Sequence, residues 1–158
     1  MQRFVVTLLL LLSGAKVAAA DSGPGASLML AAILAPHSPL LNATEKATIA
    51  RIAAGDLESP ADTMSRITLT ATDLECRTSH VDITSRSCEI RFGDQSVMLT
   101  GRDANELFAT LLETGVTPSG AAGSIFAGLS QLSCVLDLAS LREKAGGGAE
   151  CSFDPATR

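Results

Sequence analysis

The 158-residue chain has no tryptophan and no tyrosine, and only five phenylalanines. Bases and sugar rings are commonly held by stacking on aromatic faces, so a stacking platform for single-stranded nucleic acid or saccharide is not expected. Tyr and Trp are also the usual anchors of tight protein interfaces, so their absence counts against a very tight binder. Basic runs are missing too. Twelve Lys and Arg stand against seventeen Asp and Glu, a net charge of −5, and an acidic surface repels phosphate backbones and anionic membranes. Phe4–Leu12 has nine residues and Leu28–Ala35 eight, both too short to span a bilayer as a helix. The signatures G-x-S-x-G, H-E-x-x-H, the P-loop, G-x-G-x-x-G and the EF-hand loop are absent, and no two cysteines form a C-x-x-C pair.

What is present begins with an export signal. Arg3 supplies a positive start, Phe4–Leu12 an apolar stretch broken only by Thr7, and Ala18-Ala19-Ala20 a small-residue cleavage site. The expectation is a signal peptide over residues 1–20, a mature chain from Asp21, and an exported protein, periplasmic or secreted. Removing Arg3 and Lys16 with the leader takes the net charge from −5 to −7. The remaining 138 residues suffice for one domain with a real core, residues 21–158, with a mobile Gly/Pro-containing tail at 21–26.

Four cysteines allow three pairings, and an oxidising compartment favours disulfides. Cys76 and Cys88 enclose eleven residues, Cys134 and Cys151 sixteen. Leu-x-Cys opens both segments and Cys-x-apolar closes both, which favours Cys76–Cys88 and Cys134–Cys151. A four-cysteine metal site is disfavoured because zinc sites use closely spaced cysteine pairs.

The clearest strand signal surrounds Cys88. Cys88, Ile90 and Phe92 alternate with Glu89 and Arg91; Val97 and Leu99 alternate with Ser96 and Met98. Both apolar sets share a face only if Ile90 opposes Val97 and Cys88 opposes Leu99. That register leaves Gly93-Asp94 as a two-residue II′ turn and predicts a hairpin 88–92/95–99. Ile67, Leu69 and Ala71 alternate with Thr68, Thr70 and Thr72, the pattern of a half-buried antiparallel strand. The apolar parity then switches at Leu74 and Cys76, which calls for a bulge or bend at Thr72-Asp73. Val81 and Ile83 mark another short extended piece.

Helix signals lie on either side. Ser27–Ala35 is apolar nearly all round, so it is buried or packed on a partner. Pro36-His37-Ser38-Pro39 breaks it and leaves His37 in an exposed loop. Asn42 and Glu45 form a capping box for a helix over Ala43–Ala54, with Ile49, Ala50, Ile52 and Ala53 inward and Gly55 as its stop. Asp103 reads as the N-cap of a helix burying Leu107, Phe108, Leu111 and Leu112, with Glu106, Thr110 and Glu113 in water. Ser124 caps a third helix over Ile125–Leu132, or that stretch is a strand weakened as helix by Gly128. Ser133–Leu138 reads as extended, Ala139–Ala145 as a helical turn before Gly146-Gly147-Gly148, and Ala149–Phe153 as a last strand. Strands and helices do not alternate, so the expected fold is α+β: a small antiparallel sheet with three or four helices packed on one face and two disulfides.

Chemistry is sparse. His80 has Ser79, Asp82, Ser85 and Ser87 near it in sequence, but a triad is recognised by geometry and not by proximity in the chain. Glu45, Glu106 and Glu113 read as capping or solvated charges. Asn42-Ala43-Thr44 matches a glycosylation sequon that carries sugar only in a eukaryotic secretory pathway. The leading functional expectation is a non-enzymatic binding or inhibitor module without cofactor. Its partner is a protein with a basic or mixed-charge surface, met through the polar segment carrying Arg77, His80, Asp82 and Arg86. The alternatives are a small hydrolase or metal-dependent enzyme using His80, and an envelope component docking through Ser27–Ala35.

Overall fold

A computed structural model of the protein describes residues 24–56, 65–78, 85–116, 126–143 and 147–155. Six strands form one antiparallel sheet: β1 (Arg66–Ala71), β2 (Asp73–Thr78), β3 (Arg86–Phe92), β4 (Gln95–Thr100), β5 (Phe126–Asp137) and β6 (Ala149–Pro155). The order is β1-β5-β2-β3-β4, and β6 also pairs with β5. Four helices accompany it: α1 (Pro24–Leu34), α2 (Ala43–Ala53), α3 (Gly101–Glu113) and α4 (Leu138–Glu143). The expected α+β class is observed. Both expected disulfides are present, and each joins residues directly opposed across two strands, Cys76 to Cys88 and Cys134 to Cys151. Disulfides persist in oxidising surroundings, so the two bridges point to an extracytoplasmic compartment.

The β3–β4 hairpin has the predicted register, Cys88 opposite Leu99 and Ile90 opposite Val97. Gly93 takes φ +62°, and among the described residues no non-glycine residue has positive φ, which is the II′ pattern. The parity switch also has its explanation. β1 pairs Arg66–Ala71 with Asp137–Leu132, and β2 pairs Leu74–Arg77 with Leu129–Phe126, in one continuous register. β1 and β2 are therefore two halves of a single bent strand. At the bend two consecutive residues, Thr72 and Asp73, face away from the core, opposite Ser130 and Gln131, so both strands change parity together. The Thr72 amide and hydroxyl both donate to the Arg91 carbonyl, at 2.8 and 3.3 Å, which ties the bend to β3.

One face of the sheet is buried. Ile67, Leu69, Leu74, Ile90, Leu132 and Leu136 lie in a single hydrophobic cluster with Leu30 and Leu34 of α1 and Leu107 and Leu111 of α3. Truncating any one of these leucines to Ala is expected to cost about 2–5 kcal/mol. α1 packs on β6, β5 and α3; α3 packs on β3 and β4; α2 rests on α1. The apolar Ser27–Ala35 segment thus buries Leu30, Ala31 and Leu34 inside its own domain. The opposite face of the sheet carries Thr68, Thr70, Glu75, Arg77, Glu89, Arg91 and Met98.

Several expectations need correction. α1 begins at Pro24, a residue suited to a first helical position, so residues 24–26 form its first turn and not a tail. In α2 the capping box is as expected, Glu45 N–H to Asn42 Oδ1 at 3.0 Å and Asn42 N–H to Glu45 Oε2 at 2.8 Å, but Ala50 is exposed and Thr48 buried. α3 starts two residues before Asp103, with Thr100 at the N-cap position, so Asp103 sits in the first turn. Its charge there still faces the positive end of the helix dipole. Leu112 is exposed, and Thr110 is buried, with its hydroxyl satisfied by donating to the Glu106 carbonyl at 2.9 Å. The stretch that read as either helix or strand is the start of β5: pairing with β2 decides it. The extended piece at Val81 and Ile83, the cap at Ser124 and the leader over residues 1–20 lie outside the described residues.

Gly148, at the end of the glycine run, packs closely against the chain itself. Its φ is +93°, and an added Cβ would lie 2.7 Å from the Asp137 carbonyl oxygen and from the Leu141 nitrogen. The close approach is to the chain's own β5–α4 junction, where Asp137 N–H donates to the Gly148 carbonyl.

Candidate functional site

The segment that ends α1 builds one wall of a cleft. Leu34 leads into a single 3-10 turn, Ala35–His37, with Pro36 near its start. The turn is held from three sides. Ser38 N–H donates to the Ala35 carbonyl at 3.2 Å, Leu40 N–H to Ser38 Oγ at 3.3 Å, and Lys46 Nζ from α2 to the Pro36 carbonyl at 3.1 Å. Ser38 is fully buried by this arrangement. His37 is left half-buried at the turn's end, not in the open loop expected from its flanking prolines.

The other wall is the beginning of α3. Asp103 and Glu106 are three residues apart, so they share one helix face. The six lining residues, Ala32, Ile33, Pro36, His37, Asp103 and Glu106, enclose a cavity of about 400 Å³. One side is therefore aliphatic and the other carries two carboxylates, with an imidazole between. Arg102 Nε donates to Glu106 Oε1 at 2.6 Å, and this bond, with the nearby Glu106 and Asp103 charges, raises the already high guanidinium pKa. The Arg102 side chain is 87% exposed, so it neutralises Glu106 from the solvent side. Asp103 makes no hydrogen bond or ion pair among the described residues. Its effect on Arg102 is through space only.

The segment singled out in the sequence is arranged differently. Arg77 lies on β2 facing solvent, bonded to Glu75. Arg86 lies on β3 and points to the opposite, helix-covered side. Its guanidinium stands 4.4 Å over the Phe108 ring, and Nη1 is 3.4 Å from Asn105 Oδ1. Its Nε and the hydroxyl of the opposing Thr78 are buried without a hydrogen-bond partner. The two arginines therefore do not share a surface, and Arg86 is a packed residue. His80 and Asp82 lie outside the described residues, as does Ser79, so the hydrolase reading built on His80 gains no geometry.

A smaller depression, about 150 Å³, lies on the solvated sheet face between Glu75, Arg77, Ser87, Glu89 and Met98. Its charges answer one another. Arg77 holds Glu75, Arg91 lies 3.7 Å from Glu89, and Ser96 Oγ donates to Glu89 at 2.7 Å. Such a face is already compensated. The cleft between α1 and α3 is not, and it is the better candidate. Among the described residues no three His, Cys, Asp or Glu side chains are placed to hold a metal ion, and all four cysteines are in disulfides. No described helix is long and apolar enough to cross a membrane.

Comparison with protein-family models, curated proteins and solved structures finds no match.

No polar residue of this cleft carries a site signal in the sequence. His37 read as a loop residue and Asp103 and Glu106 as helix-end charges. No pattern in the chain links positions 37 and 103; only the packing of α1 against α3 brings them together.

Proposed function

We propose that the protein is an exported, disulfide-stapled binding module, periplasmic or secreted, that receives a protein partner at the cleft between α1 and α3. The observation that carries this reading is the cleft itself: a cavity of about 400 Å³ lined by aliphatic Ala32, Ile33 and Pro36 together with His37, Asp103 and Glu106. Apolar walls with a few convergent polar groups are the usual make-up of recognition sites. The leader-like residues 1–20 and the two bridges support export, and the net negative charge supports a partner of basic or mixed charge.

The test is a cross-linking capture with the disulfide-bonded protein in extracts of its own cell envelope, run beside an Ile33→Arg variant. Ile33 is half-buried at the cleft, so the arginine fills it while its head reaches solvent. The wild type is expected to retain one or a few proteins that the variant loses, with the variant's melting temperature within a few degrees. Equal capture by both would move the binding surface elsewhere. A variant with Arg77, His80, Asp82 and Arg86 all changed to Ala examines the polar β2–β3 segment in the same way. It is expected to lose stability through Arg86, whose contact with Phe108 contributes about 0.5–2 kcal/mol.

A further inference from the structure

We infer that β4, an open edge of the sheet, pairs with β4 of a second copy of this chain, forming a two-fold dimer with one continuous sheet. The inference is independent of the cleft.

The edges of the sheet are protected unequally. β6 is covered by α1. β1 carries Arg66 and ends at the bend tied to β3. β4 stands last in the strand order, with no strand beyond it among the described residues. Its sequence, Gln-Ser-Val-Met-Leu-Thr, holds no charge and no proline, and its register with β3 has no bulge. Edge strands commonly carry such devices, because a row of unpaired backbone groups is a template for another strand. Met98, in the middle of β4, is 58% exposed.

The hairpin register fixes which backbone groups are turned outward. Phe92 and Gln95 flank a two-residue turn and form a hydrogen-bonded pair, and bonded and non-bonded pairs alternate from there. Gln95, Val97 and Leu99 therefore direct N–H and C=O toward β3, while Ser96, Met98 and Thr100 direct theirs away. The Arg91 carbonyl fixes the phase. Arg91 opposes Ser96, and its carbonyl points away from β4 to accept from the Thr72 amide at 2.8 Å. Of the outward groups, the Thr100 carbonyl serves α3, for which Thr100 is the N-cap.

A two-fold axis at Met98 matches this row to itself. Setting Met98 antiparallel to Met98 of the second copy opposes Ser96 to Thr100 and Val97 to Leu99. The two Met98 residues exchange N–H and C=O, and each Ser96 carbonyl receives the opposite Thr100 N–H. The two Met98 side chains meet on the solvated face and cover each other. Carried past the strand ends, the same register brings Asp94 of each turn to Arg102 of the other copy, so opposite charges meet at both ends. Sliding the pairing to the next compatible register sets Met98 against Ser96 or Thr100 and separates those charges. The helix layer allows the approach. α3 lies over β3 and β4, and with strands about 4.8 Å apart the two α3 axes stand about 10–15 Å apart, without collision. A single pairing of six-residue strands without Trp or Tyr makes a small interface, so this dimer is weak and forms at raised concentration.

The experiment follows the disulfide-bonded protein by sedimentation velocity from about 10 μM to about 1 mM, the span of weak complexes. The wild type is expected to pass from monomer to dimer across that range. Met98→Lys and Met98→Glu each place like charges at the axis and should weaken dimerisation about tenfold, whereas an equal mixture of the two should restore it. Restoration also shows that both variants are folded. Hydrogen exchange reads the edge atom by atom: raising the concentration should slow exchange at the Met98 amide and leave the Val97 amide, bonded to β3, unchanged. A wild type that stays monomeric at the highest concentration would overturn the inference. Undiminished dimerisation of Met98→Lys would overturn it by moving the interface away from β4. A mixture of the two variants that stays monomeric would overturn the self-pairing of Met98. A Met98 amide protected equally at every concentration would overturn it too, because the edge would then be covered within one chain.

Discussion

The two disulfides are the same device in unlike surroundings. Cys76–Cys88 joins β2 to β3 in the middle of the sheet, with β5 beyond one strand and β4 beyond the other. Both cysteines are fully buried, and Cys88 Sγ lies 3.6 Å from the Ala104 carbonyl of α3. Cys134–Cys151 joins β5 to β6, whose single strand neighbour among the described residues is β5, and Cys151 is only half-buried. An edge strand leaves backbone groups without sheet partners, and proteins commonly cover such an edge. Here α1 covers it: Cys151 N–H donates to Ser27 Oγ at 3.2 Å, and Ser27 is itself buried. The central bridge is supported by the sheet, whereas the edge bridge depends on a helix brought from the other end of the chain.

The largest effect that can break this comparison comes from deleting each bridge in turn. Loops closed over separations of 12 and 17 residues should contribute about 3 kcal/mol each through the unfolded chain. If that were all, the two deletions would be equal. Replacing both central cysteines with Ala also empties a fully enclosed site, so Cys76→Ala/Cys88→Ala should cost about 1 kcal/mol more than Cys134→Ala/Cys151→Ala. Urea unfolding of the two variants measures the difference; a larger loss at the edge reverses the account.

Next in size are the glycines that aim each strand pair. Gly148→Ala at the entrance to β6 meets backbone at 2.7 Å and is expected to cost about 2–3 kcal/mol. Gly93→Ala in the β3–β4 hairpin, next to the central bridge, meets nothing within 4 Å, so only its positive φ is penalised, about 1 kcal/mol. Similar losses from the two substitutions in thermal unfolding would remove close packing as the reason for Gly148.

The smallest effect is in acid. Asp137, where β5 runs into α4, accepts from Ser140 N–H at 2.9 Å, and this hydrogen bond first, then the Ser140 hydroxyl and the Arg66 charge, hold its carboxyl below the usual range against some desolvation. A depressed folded pKa means the stabilisation is whole above the ordinary aspartate value of about 4 and is lost as pH falls through the lower folded value. Asp137→Ala should therefore be less stable than wild type at neutral pH, and the gap should close as the pH drops below about 4. A gap that stays constant down to strongly acidic pH would mean the carboxylate charge contributes nothing. Native-state hydrogen exchange should place the acid-sensitive opening in α4 and β6 and leave the β3–β4 hairpin protected.

Local rules account for much of the architecture. The β3–β4 hairpin follows from the spacing of Cys88, Ile90, Val97 and Leu99 around one glycine, because side chains alternate with period two and a two-residue turn admits few registers. The α2 cap follows from Asn42 and Glu45, whose groups can reach only neighbouring backbone. Both bridges follow from cysteine spacing in an oxidising setting. The bend at Thr72-Asp73 was marked by its parity break, because an apolar side chain must stay on the core side of the sheet.

Tertiary contacts decided the rest. Whether Phe126–Leu132 is helix or strand depended on β2 offering an edge of continuous register, a partner about fifty residues away in the chain. Leu112 and Thr110 exchanged their expected environments because the orientation of α3 is set by what it packs on, β3, β4 and α1, and not by its own periodicity. Arg86 turned inward because β3's core-facing parity places it over Phe108. The candidate site is the extreme case. His37 and Asp103 come from separate helical segments with ordinary local explanations, and a cleft is a property of how two elements lie side by side. The chain by itself determined the β3–β4 hairpin, the α2 cap and the two staples through forces acting over short stretches of sequence. Long-range packing determined which of its unremarkable polar groups would face one another.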